Sequence, residues 1–154
     1  RRLFEPKHRT VEIAVNPARP LPRDWTVNVD AVHVMSYDNG LRHATYAQAE
    51  VDVATMAKQG VPLKKLLLGL PFYGRSMTNR GHTKTYAEIK SLFRPKQDQN
   101  EAGGFYFNGP DTLAKKVKLA KERGLAGVMI WEIGQDAKGK DSLLSTLRAH
   151  AKNP

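Results

Sequence analysis

The chain has 154 residues, a formal net charge of +10 at pH 7 and no cysteine. The absence of cysteine excludes disulfide bonds and thiolate metal sites, and no apolar run approaches the roughly 18 residues that a membrane span needs. A complete eight-stranded βα barrel needs about 250 residues, so the chain is too short to close one, whereas half of such a barrel fits.

The positive charge is spread along the chain and forms no basic tail. Residues 1–77 carry 11 basic and 7 acidic side chains, and residues 78–154 carry 14 and 8. The densest basic group consists of Lys115, Lys116, Lys118, Lys121 and Arg123 on one predicted helix. Because apolar residues alternate with them, we interpret the group as a solvated outer helix face and expect neither a nucleic-acid nor a membrane partner.

The predicted elements alternate between strand and helix, which is typical of a parallel sheet. The chain begins at Arg1, in what reads as the end of a helix, so we expect a piece excised or processed from a longer protein. A strand is predicted over 10–15, and the proline-rich segment 16–22 predicts an extended loop in place of a full helix.

A second strand is predicted to end in residues 34–38, with the sequence V-M-S-Y-D, just before Asn39-Gly40. Thr45 can cap a helix that runs to about Gln59, because its hydroxyl can accept a bond from a first-turn amide. The apolar positions of this helix are predicted to be Ala47, Val51, Ala54 and Met56.

A third predicted strand covers 66–75 and is followed by a long insertion over about 76–108. A helix is then predicted from the N-G-P-D sequence at 108–111 to Gly124, because proline is favoured in the first turn. A last strand over 127–132 precedes a helix that opens at Asp141 or Ser142 and runs to about Ala151. Buried parallel strands present function at their carboxyl ends, so the site is predicted where these strands end.

Three motifs in the same order resemble glycoside hydrolase family 18, the chitinase-like family. The family carries M-x-Y-D, G-x-P-x-Y-G-R and a terminal W on its sixth, seventh and eighth barrel strands; this chain has M-S-Y-D at 35–38, G-L-P-F-Y-G-R at 69–75 and G-V-M-I-W at 127–131. The resemblance implies an α/β fold that is the C-terminal half, strands 5 to 8, of a (β/α)8 TIM barrel. The whole of 1–154 would be a single partial domain with a short insertion after the seventh strand.

The resemblance also implies roles for residues at the rim. Tyr37 would donate its hydroxyl to the acetamide oxygen of an N-acetylglucosamine unit and stabilise an oxazolinium intermediate, in a reaction in which the substrate's own acetamide attacks the anomeric carbon. Asp38 would accept hydrogen bonds from sugar hydroxyls, unless it caps the Asn39-Gly40 turn. Trp131 would form the floor of the central subsite, unless it is a core residue.

Three further residues complete the predicted substrate-binding set. Met35 would pack beneath the acetamide methyl or fill a gap in the core, and Tyr73 would face the groove. Arg75 would bind sugar hydroxyls as a planar fork or form a surface salt bridge. The histidines are scattered without ligand spacing, so no metal and no cofactor are predicted; they are His8, His33, His43, His82 and His150.

The family's acidic signature D-x-x-D-x-D-x-E, which holds the proton donor, does not occur in the chain. The leading hypothesis is therefore a fragment of a chitinase-type hydrolase of β-1,4-linked N-acetylglucosamine polymers, inactive alone. The alternative is a chitinase-like lectin without catalysis, and the charge alone motivates a third, a nucleic-acid-binding half-barrel. Unpaired strand edges predict pairing with the missing N-terminal half or self-association. The family implies a secreted or cell-envelope-associated parent.

Overall fold

A computed structural model describes residues 9–22 and 24–152 of the chain. The predicted helix end at the amino terminus lies outside these residues. Four parallel strands form the central sheet in the order β1 (Glu12–Val15), β2 (Ala31–Val34), β3 (Leu66–Pro71) and β8 (Gly127–Trp131). The predicted alternation of strands and helices is therefore confirmed.

Helices cover one face of this sheet. They are α1 (Tyr46–Lys58), α3 (Pro110–Glu122) and α4 (Leu143–Lys152). The sheet residues beneath them have no exposed surface and form the main core; they are Val32, Val34, Leu66, Leu68 and Leu70. On the opposite face Glu12 and Ala14 are exposed, and Glu12 pairs with His33 at 2.7 Å. The two faces of the sheet are thus covered unequally.

The helix boundaries follow from local capping chemistry. The Thr45 side chain accepts a 3.1 Å hydrogen bond from the Gln48 amide, and Gly109 precedes Pro110 at the start of α3. Gly124, with a φ of 66°, follows the end of α3 in the left-handed conformation that favours glycine. The Ser142 hydroxyl accepts from the Ser145 amide at the start of α4. These predicted helix ends are confirmed.

The apolar face predicted for α1 was largely wrong. Val51 is 56% exposed, and Ala47 and Ala54 also face outward, whereas Met56 is buried as expected. The buried face is formed by Ala49, Asp52, Val53 and Met56. Small and β-branched residues occur on both faces of this helix, so its periodicity alone did not indicate which face the sheet would cover.

The segment that leaves the parallel sheet begins earlier than predicted. The predicted strand over 66–75 divides at Phe72, whose amide donates to the Trp131 carbonyl while its own carbonyl accepts from the Tyr86 amide. A second, antiparallel sheet follows, and its strands are β4 (Tyr73–Ser76), β5 (Thr83–Thr85), β6 (Glu101–Ala102) and β7 (Phe105–Tyr106). Their order across this sheet is β5, β4, β7, β6. We call it the insertion sheet; α2 (Tyr86–Phe93) lies within the same insertion.

Candidate functional site

The segment after β2 carries the first predicted site residues and is held by buried hydrogen bonds. The Ser36 hydroxyl donates a 2.6 Å bond to Oδ2 of Asp52, a buried carboxylate on α1. The Gln48 side chain donates to Oδ1 of the same carboxylate at 2.8 Å. Asp38 has a φ of 66°, a conformation that aspartate tolerates better than most residues. Asp52 therefore fixes the backbone segment that carries Tyr37 and Asp38.

The carboxylate of Asp38 is the electrostatic centre of the site. Its Oδ1 accepts a 2.6 Å hydrogen bond from the Tyr73 hydroxyl and lies 2.8 Å from Nη2 of Arg75. Partial burial raises the Asp38 pKa, but hydrogen bonds from His43 and Tyr73 and the charge of Arg75 outweigh it and bring the pKa to about 2. Oδ2 makes no hydrogen bond within the described chain, so it remains available as an acceptor.

His43 packs behind this carboxylate with no exposed surface. Its Nδ1 lies 3.4 Å from the Asp38 amide and 3.5 Å from Asp38 Oδ1, so it can accept from the first or donate to the second, according to its tautomer. The centroid of its ring lies 5.1 Å from the ring centroid of Tyr73 and 6.1 Å from the ring centroid of Tyr106. Sequence reasoning treated this histidine as one of several scattered ones and missed its position.

The Tyr37 ring is buried beside this cluster, and its hydroxyl has no partner among the described residues. The ring packs edge-on against the ring of Tyr73, with the two ring centroids 6.2 Å apart. It also packs with Ala44, Met35 and Met129. Burial, and then the negative charge of Asp38, raise the pKa of Tyr37 to about 12. The phenol therefore keeps its proton at neutral pH and can donate it in a hydrogen bond.

Two glycines of the second motif allow these elements to approach closely. A Cβ on Gly69 would collide with the Val34 carbonyl and lie 2.9 Å from Cε1 of Tyr37. A Cβ on Gly74 would lie 2.5 Å from Cδ1 of Ile89 and 2.9 Å from the Tyr106 carbonyl. The first glycine makes room for the tyrosine, and the second makes room for the insertion.

Arg75 is held in a partly buried position between two segments. Nη2 pairs with Asp38, and Nη1 donates a 2.5 Å bond to the Arg80 carbonyl. Arg80 in turn donates a 3.2 Å bond from Nη2 to the Asp38 carbonyl. These contacts join the insertion sheet to the segment after β2, and sequence reasoning missed the part played by Arg80.

A cavity of about 290 Å³ opens in front of this cluster, and we call it the first cavity. Trp131, with 53% of its surface exposed, lines it together with Asp38, Tyr73 and Arg75. The remaining lining residues are Thr83, Lys84, Thr85, Glu88 and Gln135. The exposed indole offers an apolar face next to hydrogen-bonding groups.

The structure brings four of the six predicted site residues together at the first cavity. Asp38, Tyr73, Arg75 and Trp131 share the first cavity, whereas Tyr37 adjoins Tyr73 without lining it. Met35 lies beneath, packed against the aromatic cluster, and also lines a separate cavity beside the loop after β1.

The reading of the basic helix face was wrong for one residue. Lys116 has no exposed surface; its Nζ donates to the Ala44 carbonyl at 2.9 Å and to Oδ1 of Asn108 at 2.8 Å. Position 116 lies three residues after Leu113 and three before Leu119, both buried, so helical spacing was the signal for its burial. Lysine's charge led us to overlook that spacing.

Two other features of the described residues bear on function. No group of three or more His, Cys, Asp or Glu side chains among them is arranged to hold a metal ion. No helix in this part of the chain is long and apolar enough to cross a membrane.

A parallel sheet with polar and aromatic groups at the carboxyl ends of its strands is the arrangement of (β/α)8-barrel enzymes. The family model of glycosyl hydrolases family 18 matches residues 5–136, and the chain belongs to that family.

Similar proteins agree with this assignment. Chitinase 1 of Aphanocladium album is 32% identical over an aligned length of 131 residues, and the match covers 68% of this chain and 31% of that protein. The GH18 chitinase ChiB of Flavobacterium johnsoniae has a TM-score of 0.89 at 29% identity, covering 97% of this chain and 52% of that one. A chitinase of Bacteroides thetaiotaomicron has a TM-score of 0.83 at 30% identity, covering 95% and 53%. The chain thus spans about a third of the curated relative and about half of each solved chain.

Proposed function

We propose that the chain is the substrate-binding part of a chitinase-type glycoside hydrolase acting on β-1,4-linked N-acetylglucosamine polymers. In this proposal its strands are the fifth to eighth of a (β/α)8 barrel, and residues 1–154 form one partial domain. The observation that carries it is the convergence of Asp38, Tyr73, Arg75 and Trp131 on one cavity, with the free hydroxyl of Tyr37 beside them.

The chemistry of each group fits a neutral acetylated sugar. Trp131 supplies an apolar face for the ring, and the ionised Asp38 accepts from a hydroxyl or amide proton. Tyr37 donates to the acetamide oxygen as that oxygen attacks the anomeric carbon. The bond from the anomeric carbon to the leaving oxygen breaks in this step, and the leaving oxygen must receive a proton.

The family's acidic signature, which holds the residue that would supply that proton, does not occur in the chain. General acid catalysis contributes on the order of 10² to 10⁴ in rate, so we expect binding without turnover from this chain alone. The same absence keeps a chitinase-like lectin as the second candidate. Release of a fluorophore from a chitobioside by the purified chain, at a rate lost in Tyr37→Phe, would contradict this expectation.

We also propose that the chain associates with a partner, and the uneven covering of the central sheet supports this. β1 and β8 are its outer strands, and the face that bears Glu12 and Ala14 is exposed. Open strand edges favour pairing with further strands. We therefore expect the chain to associate with the other half of a barrel or with a second copy, and a well-folded monomer at micromolar concentration in sedimentation would contradict this.

Tyr37→Phe gives the sharpest test of sugar binding. The variant removes one hydroxyl that has no partner among the described residues, so the fold should keep its stability. We expect the dissociation constant for an N-acetylglucosamine disaccharide to rise about fivefold, the value of one hydrogen bond. Titrations of the ¹⁵N-labelled chain measure it by amide chemical shifts. Tyr46→Phe on α1 is the matched control and should change nothing.

Trp131→Ala extends the same test to the apolar contact. Loss of a large aromatic anchor costs about 2 kcal/mol, or roughly 30-fold in affinity. If neither the disaccharide nor a longer oligomer shifts any amide near the first cavity of the unaltered chain, the proposed function is wrong.

A further inference from the structure

Three segments that are far apart in sequence meet at one backbone carbonyl, that of Ala44 in the loop after β2. Nζ of Lys116 on α3 donates to it at 2.9 Å, and the side-chain amide of Asn108, at the end of the insertion, donates to it at 2.8 Å. Nζ of Lys116 also donates to Oδ1 of Asn108 at 2.8 Å. The three groups form a closed set of hydrogen bonds, which we call the Ala44 cluster.

The Ala44 cluster is buried, and its burial is costly. Ala44 and Lys116 have no exposed surface, and Asn108 is 1% exposed. Burial lowers the pKa of Lys116 to about 7, which reflects the cost of removing its charge from water. An apolar side chain of similar volume at such a position is often neutral for stability or even stabilising. The stability of the fold therefore does not by itself account for a lysine here.

The carbonyl that this cluster holds belongs to the centre of the candidate site. Ala44 packs in the same buried cluster as Tyr37 and Tyr73, the two tyrosines assigned to sugar binding. The residue before it in the chain is His43, whose ring lies directly behind Asp38. A displacement of the Ala44 peptide would therefore move the histidine and change the packing of both tyrosines.

The orientation of the His43 ring depends on its backbone more than on its own hydrogen bonds. Nε2 is buried and has no partner among the described residues, so the ring makes polar contacts only through Nδ1. Those contacts are the 3.4 Å and 3.5 Å distances to the amide and to Oδ1 of Asp38. The hydrogen bond from His43 is one of the interactions that lower the pKa of Asp38, whereas Lys116 is not among them. A change at Lys116 would thus reach Asp38 through the loop.

We propose that Lys116 and Asn108 are positioning residues for sugar binding at the first cavity. They hold the Ala44 carbonyl, and that carbonyl fixes His43 behind the carboxylate that accepts from the sugar. Neither of the two residues lines the first cavity. The inference rests on the proposed function, and it adds that the affinity for the sugar depends on two buried side chains that do not touch it.

Two variants test the proposal. Lys116→Met replaces the lysine by an unbranched apolar side chain that fills most of its space, and Asn108→Leu removes the amide with little change of shape. We expect each variant to raise the pKa of Asp38 and to weaken the binding of an N-acetylglucosamine disaccharide about fivefold, the value of one misaligned hydrogen bond. The double variant should lose less affinity than the product of the two single effects, because both side chains act on one carbonyl.

Two controls separate positioning from charge and from stability. Lys115→Met removes an exposed positive charge from the neighbouring position of α3 and should change neither the pKa of Asp38 nor the affinity. Leu147→Ala truncates a buried side chain of α4, 4% exposed, and so destabilises the core away from the loop. Urea unfolding measures that loss of stability. The affinity of Leu147→Ala for the disaccharide should nevertheless equal that of the unaltered chain.

Three measurements on the isotope-labelled chain decide the outcome. Carbon-13 titration gives the pKa of Asp38, the nitrogen-15 shifts of the His43 ring report its contacts, and amide shifts at pH 6 give the dissociation constant of the disaccharide. The first two should change together with the third in Lys116→Met and Asn108→Leu.

Unchanged affinity in both variants would overturn the inference and leave the proposed function intact. An equal loss of affinity in Leu147→Ala would also overturn it, because the loss would then follow from general destabilisation. If the unaltered chain binds no disaccharide, the proposed function is wrong and this inference fails with it.

Discussion

The hydroxyl of Tyr73 donates a 2.6 Å hydrogen bond to Oδ1 of Asp38. The two residues come from different sheets, since Asp38 follows β2 of the central sheet and Tyr73 begins β4 of the insertion sheet. The bond therefore fixes the insertion against the parallel strands at the first cavity. It also opposes protonation of Asp38, because a donor to a carboxylate favours the charged form.

Tyr73→Phe should raise the Asp38 pKa from its value of about 2 towards the ordinary 3.8. A lowered folded-state pKa gives stability that is complete above the ordinary pKa and is lost as the pH falls towards 2. A bond to a charged group contributes about 1.5 to 3 kcal/mol, and solvent screening at a carboxylate that is 43% exposed reduces this to about 1 kcal/mol. Carbon-13 titration of the Asp38 carboxyl measures the shift, and an unchanged pKa would contradict the account.

Gly69→Ala should displace Tyr37 and destabilise the protein. The added methyl would collide with the Val34 carbonyl and press on the Tyr37 ring, and such overpacking costs about 1 to 3 kcal/mol. Gly134→Ala is the control, because a Cβ there meets no atom within 4 Å. Urea unfolding of both variants gives the comparison. Equal stability of the two would mean that Gly69 is not held by close contact.

Asp52→Asn should loosen the segment that carries the candidate site. The carboxylate accepts from Ser36, Asn39 and Gln48, whereas an amide nitrogen in its place would face at least one donor. With the group buried, we expect a loss of about 2 to 4 kcal/mol. Glu50→Gln on the same helix is the control, and urea unfolding measures both variants. A loss in Asp52→Asn no larger than that of the control would contradict the role assigned to this carboxylate.

The elements that could be predicted from sequence are those with local causes. Thr45, Pro110 and Ser142 indicate helix starts through capping and fixed φ, and the strand-end motifs placed Asp38, Tyr73, Arg75 and Trp131 at one edge. Long-range packing decided the rest. The break at Phe72 depends on hydrogen bonds to Trp131 and Tyr86. No local pattern around Phe72 records those partners.

The prediction that Lys116 lies on a solvated helix face was the error with the clearest physical reason. Burying an ammonium group is costly, so a lysine between buried leucines is ordinarily read as solvated. Here the carbonyl of Ala44 and the side chain of Asn108 bind it. Those partners lie 72 and 8 residues away in sequence, and the first is contributed by the loop of the candidate site.

The burial of Lys116 predicts a pH dependence of stability. Burial lowers its pKa to about 7, with the charge of Asp52 opposing the shift. Between pH 7 and the ordinary lysine pKa of 10.5, the unfolded chain binds a proton that the folded chain has lost, so the free energy of unfolding should rise with pH in this window. The buried tyrosines have raised pKa values and lower the stability as the pH approaches the ordinary tyrosine pKa of 10.0, so pH 7 to 8.5 isolates the lysine.

Lys116→Met should remove this slope, whatever it does to stability at a single pH. Exposed Lys115→Met is the matched control on the neighbouring position and should retain the slope of the unaltered chain. Urea unfolding at several pH values from 7 to 8.5 measures the free energy for each protein. Asp52→Asn should lower the pKa of Lys116 further, because it removes the favourable negative charge, and so move the rise to lower pH. A slope that persists in Lys116→Met would assign the pH dependence to another group.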